Sequence, residues 1–184
     1  VNKNSAQFDV RKLEAMNGDK IRALDPAGFV ARITPFLQRN GLVGDPPSAG
    51  EARLVAAAAP LIQERISRLT QAVEMLGFLF TDEQDFAVEP EDAGQMLGPR
   101  SRETLQAAEA ALKSVTTWEA AAIDEALRGA LIGGLGLKPR AAFGPVRVAV
   151  TGRRVAPPLF QSIELLGRER TLARLAGALG ALAG

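Results

Sequence analysis

With 184 residues, 47% of them hydrophobic and 23% charged, the chain has the composition of a globular protein and the length of one domain or two small ones. It contains no Cys, His or Tyr, which excludes disulfides, thiolate and imidazole metal sites, cysteine nucleophiles and a Ser/His/Asp triad. The formal net charge is +1, no apolar run approaches the roughly 20 residues of a membrane span, and the N-terminus lacks a signal-peptide core, so a cytoplasmic protein away from the membrane is expected.

Helical periodicity runs through nearly the whole chain. Phe8, Val10, Leu13 and Met16 share a face, and Asn17-Gly18 predicts the end of that first helix. Asp25-Pro26 is a start signal, an N-cap followed by proline, and Phe29, Val30, Ile33, Phe36 and Leu37 then form one stripe. Pro35 inside the stripe predicts a kink or a break. Residues 41–50, with Pro46-Pro47, read as a linker. Ser48 is placed to cap a helix over 49–59 that ends or bends at Pro60, and a short helix is expected over 70–76.

The acidic stretch 81–92, poor in large apolar residues and containing Pro90, reads as a solvated loop crossing between subdomains. A helix is expected over 100–113. Thr116-Thr117-Trp118-Glu119 has capping-box spacing ahead of another that runs to about Gly133. Residues 146–150 alternate like a strand but have no partner strand, so they are assigned to a helix. Ala156-Pro157-Pro158 opens a further helix closed by Gly167, and 168–179 forms the last. The expected fold class is all-α, in two small helical bundles preceded by a helical remnant.

Charge is segregated along the chain. Residues 1–80 carry a net +2, residues 81–127 a net −8 and residues 128–184 a net +7, which predicts opposite potentials on different faces. Of the 22 basic residues 17 are Arg, whose planar fork suits phosphates and base edges. Arg153-Arg154 follows Gly152 in a turn. Arg168 opens a helix, where its guanidinium and the free backbone N–H groups can address one phosphate. The same arginines also fit an ordinary solvated helix surface. Gly129, Gly133, Gly134 and Gly136 follow a helix and precede Pro139, the context of a helix end rather than of a phosphate-cradling loop. The acidic run lacks the central glycine and closing glutamate of a calcium hand. Trp118, at a helix start, is read as a core residue.

Four segments resemble the C-terminal half of bacterial glutamyl-tRNA synthetase. They are Phe8-Asp9-Val10-Arg11-Lys12-Leu13-Glu14-Ala15-Met16-Asn17-Gly18, Pro145-Val146-Arg147-Val148-Ala149-Val150-Thr151-Gly152, Pro157-Pro158-Leu159-Phe160 and Leu166-Gly167-Arg168-Glu169-Arg170, with Phe78-Leu79-Phe80-Thr81 fitting between them. The resemblance implies a stem-contact remnant over 1–44 and α-helical anticodon-binding subdomains over 45–98 and 99–184. It also implies a class I catalytic domain upstream, which would hold the ATP and magnesium. Neither ATP-binding signature of that class is present in this sequence, so the chain alone is expected to be inactive and to need no cofactor.

By the same resemblance, Arg65 corresponds to an arginine that reads the third anticodon base. Arg147 corresponds to one that packs on the anticodon loop, and Leu159 to an apolar residue beside the splayed bases. With Arg153, Arg154 and Arg168 these are the expected RNA-binding residues. Ala156 stands where the family usually has Ser or Thr before the proline, so a hydroxyl contact to the loop is missing. The expected partner is the anticodon arm of glutamate tRNA, bound by a monomer and positioned for the upstream domain. The rival reading is a helical protein-interaction module that turns a basic face to an acidic partner.

Overall fold

The computed structural model describes residues 10–182. Among them the secondary structure is entirely helical: α1 (Val10–Arg22), α2 (Pro26–Arg39), α3 (Ala49–Gln63), α4 (Gln71–Phe80), α5 (Pro90–Met96), α6 (Ser101–Ser114), α7 (Ala120–Leu127), α8 (Pro139–Thr151), α9 (Leu159–Leu166) and α10 (Arg168–Ala181). The all-α expectation is met, including residues 146–150, which lie in α8 with Val146, Val148, Ala149 and Val150 buried. No described helix is long and apolar enough to cross a membrane. By internal contacts the chain falls into two compact units, Val1–Glu74 and Met75–Gly184.

In the N-terminal unit, α2 packs on α3 through Phe29, Ile33 and Leu37 on one side and Val55, Ala58, Ala59 and Ile62 on the other. The start signals act as the sequence implies. Asp25 accepts from the Gly28 N–H at 2.9 Å, and Ser48 and Glu51 form a reciprocal capping box. Three N–H and hydroxyl contacts around the cap, from the Ser48 side chain and backbone and from the Gly44 backbone, hold the Glu51 carboxyl below its ordinary range. Neither Pro35 nor Pro60 breaks its helix; each sits inside a continuous one.

Asn17-Gly18 does not stop α1, which continues to Arg22. Asn17 spends its amide on a tertiary bond, donating to the Ser67 carbonyl, and Gly18 keeps an ordinary φ. The helix instead ends against α3, where the Gln63 amide donates to the carbonyls of Ile21 and Leu24, both at 2.9 Å. Phe8 and Asp9 lie outside the described residues. Leu13 and Met16 are exposed, at 43% and 49%.

The C-terminal unit is built around α6, which packs against α7, α8 and α10, while α7 packs on α9. Its core comprises Leu105, Leu112, Ile123, Leu127, Leu131, Val146, Ile163 and Leu175, each fully buried. The box expected at Thr116 to Glu119 does not form: Glu119 is the N-cap of α7 and makes no side-chain capping bond. Trp118, half-buried rather than core, donates from its indole N–H to the Ile163 carbonyl at 3.2 Å. After α7 the winding widens into a π-helical stretch, Arg128–Gly134, and the Leu135 N–H reaches back to the Ala130 carbonyl at 3.1 Å. Gly136, at φ +65°, completes the turn into α8, so the glycine cluster is a helix end as its context implies.

Candidate nucleic-acid interface

The acidic and basic segments are joined by ion pairs, with Glu83, Glu89, Asp92 and Asp124 each meeting an arginine of the basic segment. They interlock. The stretch 81–92, expected as a solvated loop, is a strap tied down by arginines from α10 and from the turn after α8, and it passes into α5 at Pro90. Arg170 donates to Glu83 (2.7 Å) and to the Leu79 and Thr81 carbonyls (2.7 and 2.5 Å). Arg174 donates to Glu83 and to the Val150 and Phe78 carbonyls (2.8 and 3.0 Å). Burial works against the Glu83 charge, but the hydrogen bonds and charges of Arg174 and Arg170 prevail and hold the carboxyl below its usual range.

The next turn of the strap repeats the pattern. Arg153 pairs with Glu89 at 2.8 Å, and Arg154 meets Asp92 twice, through its backbone N–H (2.9 Å) and its guanidinium (2.5 Å). Those two bonds, the backbone one first, depress the Asp92 carboxyl. The turn itself exists because Gly152 ends α8 at φ +81°, and its carbonyl accepts from the Glu89 N–H at 2.9 Å.

Three other residues expected to touch RNA also have internal roles. Arg168 donates to the carbonyls of Leu112 and Val115 at the C-terminus of α6 and lies 4.7 Å from the Trp118 ring, so it caps a neighbouring helix. Arg147 donates to the Pro157 carbonyl at 2.8 Å and braces the turn that leads into α9. Leu159 is 3% exposed, whereas Val155, four residues earlier, is 75% exposed.

Arg65 is different. It stands exposed on the turn that ends α3, with no hydrogen-bond or ion-pair partner for its guanidinium among the described residues.

The C-terminal unit also holds cations that sequence reasoning missed. A cleft of about 810 Å³ opens between the first turns of α6 and α8, and Arg100, Lys138 and Arg140 line it with Met96, Leu137 and Pro145. No carboxylate is among its lining residues. A smaller recess of about 360 Å³ shares Met96 and Arg140 with it and adds Phe143, Arg147 and Arg154. Phe143 meets Phe160 edge to face at 5.4 Å, and the Arg128 guanidinium lies over both rings at 5.3 and 5.6 Å. The usable signal was local: Arg100 follows Gly98-Pro99, and Lys138 and Arg140 flank Pro139, so all three sit at helix starts marked by proline.

The profile of the family described as "Anticodon binding domain" matches residues 28–179. The chain belongs to this family. Among the relatives of this anticodon-binding-domain protein, the glutamate-tRNA ligase of Nocardioides sp. is 49% identical over 180 residues, 98% of this chain and 37% of that protein. The glutamate-tRNA ligase of Acidothermus cellulolyticus is 51% identical over 175 residues, 95% of this chain and 35% of that protein. The chain thus spans little more than a third of the curated relatives it matches. A solved glutamate tRNA ligase from Elizabethkingia meningosepticum, in complex with its amino acid, superimposes with a TM-score of 0.74 at 18% identity, over 95% of this chain and 33% of that one. At that identity the likeness is one of fold.

Proposed function

We propose that this chain is the tRNA-binding part of a glutamate-tRNA ligase. It would grip the anticodon arm of glutamate tRNA and present the acceptor end to a catalytic domain elsewhere in the same polypeptide, where ATP, magnesium and glutamate would act. The functional boundaries at 44/45 and 98/99 belong to this proposal and divide the chain by role. The mechanism is recognition: cations neutralise phosphates while a few side chains read unstacked bases.

One observation carries the base-reading part. A solvated guanidinium with no internal partner, as at Arg65, keeps its full fork of donors for a base edge, and no ion pair must break before it binds. Arg147 holds the turn before α9 through the Pro157 carbonyl. The rival, a basic face for an acidic protein, would have to use other cations, since Arg153, Arg154, Arg170 and Arg174 are already paired with Glu83, Glu89 and Asp92. The test is direct binding of the 184-residue chain to glutamate-tRNA anticodon stem-loops, cognate and altered at the third anticodon base. Discrimination between them supports the reading, and the absence of any RNA binding ends it.

A further inference from the structure

We propose that the cleft between the first turns of α6 and α8 binds the sugar-phosphate backbone of an RNA strand, with Arg100, Lys138 and Arg140 as its phosphate-binding groups. The inference rests on the tRNA-binding reading and adds to it a place on this unit where phosphates would lie. Its starting point is a contrast. Elsewhere in the C-terminal unit Arg153, Arg154, Arg170 and Arg174 are each matched to a carboxylate, yet Arg100, Lys138 and Arg140 are exposed and have no partner among the described residues.

Three like charges around one concave surface with no acid in its lining repel one another, and a polyanion relieves that repulsion. The rest of the wall, Met96, Leu137, Ala141 and Pro145, is apolar and suits the faces of ribose. Arg140 lines both this cleft and the recess of Phe143 and Arg147, so the cationic run continues into the recess that holds an aromatic edge and the arginine assigned to the anticodon loop. Cations spaced along a groove, with apolar wall between them and an aromatic side chain at its end, form an arrangement suited to the backbone of single-stranded RNA.

The experiment compares the whole 184-residue chain with its R100Q/K138Q/R140Q variant. Affinity is measured for cognate and third-base-altered anticodon stem-loops over a salt series. The variant is expected to keep the wild-type melting temperature and to bind both RNAs at least tenfold more weakly by one common factor. The slope of log affinity against log salt should fall by about 2 to 3. R100K/R140K, which keeps the charges, should retain the wild-type slope. Equal affinity and slope in wild type and triple variant would overturn the cleft while leaving the tRNA-binding reading intact. Failure of the wild type to bind any RNA removes that reading, and the cleft with it. If poly-glutamate displaces RNA at equal charge concentration, the cleft takes a protein partner and the RNA assignment is wrong.

Discussion

The guanidinium of Arg174 donates to both carboxylate oxygens of Glu83, 91 residues earlier in the chain, at 2.9 to 3.2 Å, and lies 3.6 Å from the Phe86 ring centroid. The arginine side chain is 1% exposed and the glutamate 36%. The strap 81–92 has few large apolar residues with which to hold itself on the bundle, so charge does what hydrophobic burial does elsewhere. Arg174 is the centre of that attachment because it also satisfies the carbonyls of Val150 and Phe78.

Removing this cation therefore leaves several acceptors unpaired. Arg174→Met keeps much of the volume and loses every hydrogen bond, and the loss expected for an interior pair broken on one side is on the order of 3 kcal/mol. Arg170→Met, at a more solvated position, should cost about 1 kcal/mol. Urea denaturation of the three proteins measures the difference. Equal midpoints for Arg174→Met and wild type would mean the strap is held by something else.

The depressed carboxyls of Glu83 and Asp92 give the strap an acid limit. Their folded values lie below the ordinary 4.5 and 3.8, so the stabilisation they supply is complete above those ordinary values and is lost as pH falls through the lower, folded ones. Stability should be level from pH 7 to about 5 and decline below. Glu83→Gln should be less stable than wild type at pH 7, show a shallower decline, and converge with wild type at the acid end. Parallel curves in a series of urea titrations from pH 7 to pH 3 would contradict this linkage.

What could be read from the sequence is what local chemistry decides. Asp25-Pro26 and Ser48 act within a single turn, and Gly167 ends α9 at φ +87°, so each signal appears unaltered in the fold. Signals fail where a distant group outbids the local one: Asn17 gives its amide to Ser67, fifty residues on, and α1 runs through the expected stop. The candidate site suffered most from this. Arg153, Arg154 and Arg168 read as free cations because their acceptors, Glu89, Asp92 and the end of α6, lie more than fifty residues away. Arg100, Lys138 and Arg140 each carry a local helix-start signal, but only folding gathers them around one cleft.

Gly152 offers a backbone test of the strap. A Cβ there would sit 2.9 Å from the Ala87 carbonyl oxygen, a backbone atom that cannot rotate aside, and φ is +81°. Gly136 also has a positive φ, +65°, but nothing within 4 Å of an added Cβ. Gly136→Ala should therefore cost only the left-handed penalty of about 1 kcal/mol, and Gly152→Ala roughly 2 kcal/mol or more. Thermal or urea unfolding of both variants isolates the contact between the end of α8 and the strap. Equal losses would show that the carbonyl yields.

Arg65 and Arg147 should fail in different ways when changed. Arg65 has no internal partner among the described residues, so Arg65→Gln should leave the melting temperature where it is. If the guanidinium reads a base edge, the same change should cost on the order of 1 to 3 kcal/mol against the cognate anticodon and much less against one altered at its third base, relaxing discrimination. Arg147 is half-buried and holds the Pro157 carbonyl at 2.8 Å, so Arg147→Ala should lower the melting temperature and, by loosening the turn before α9, weaken all anticodon loops by a similar factor. Melting curves and affinities for two stem-loops separate the two behaviours. Folded Arg65→Gln that still binds and discriminates as wild type does would strip Arg65 of its base-reading role and leave Arg147 as a support without a reader.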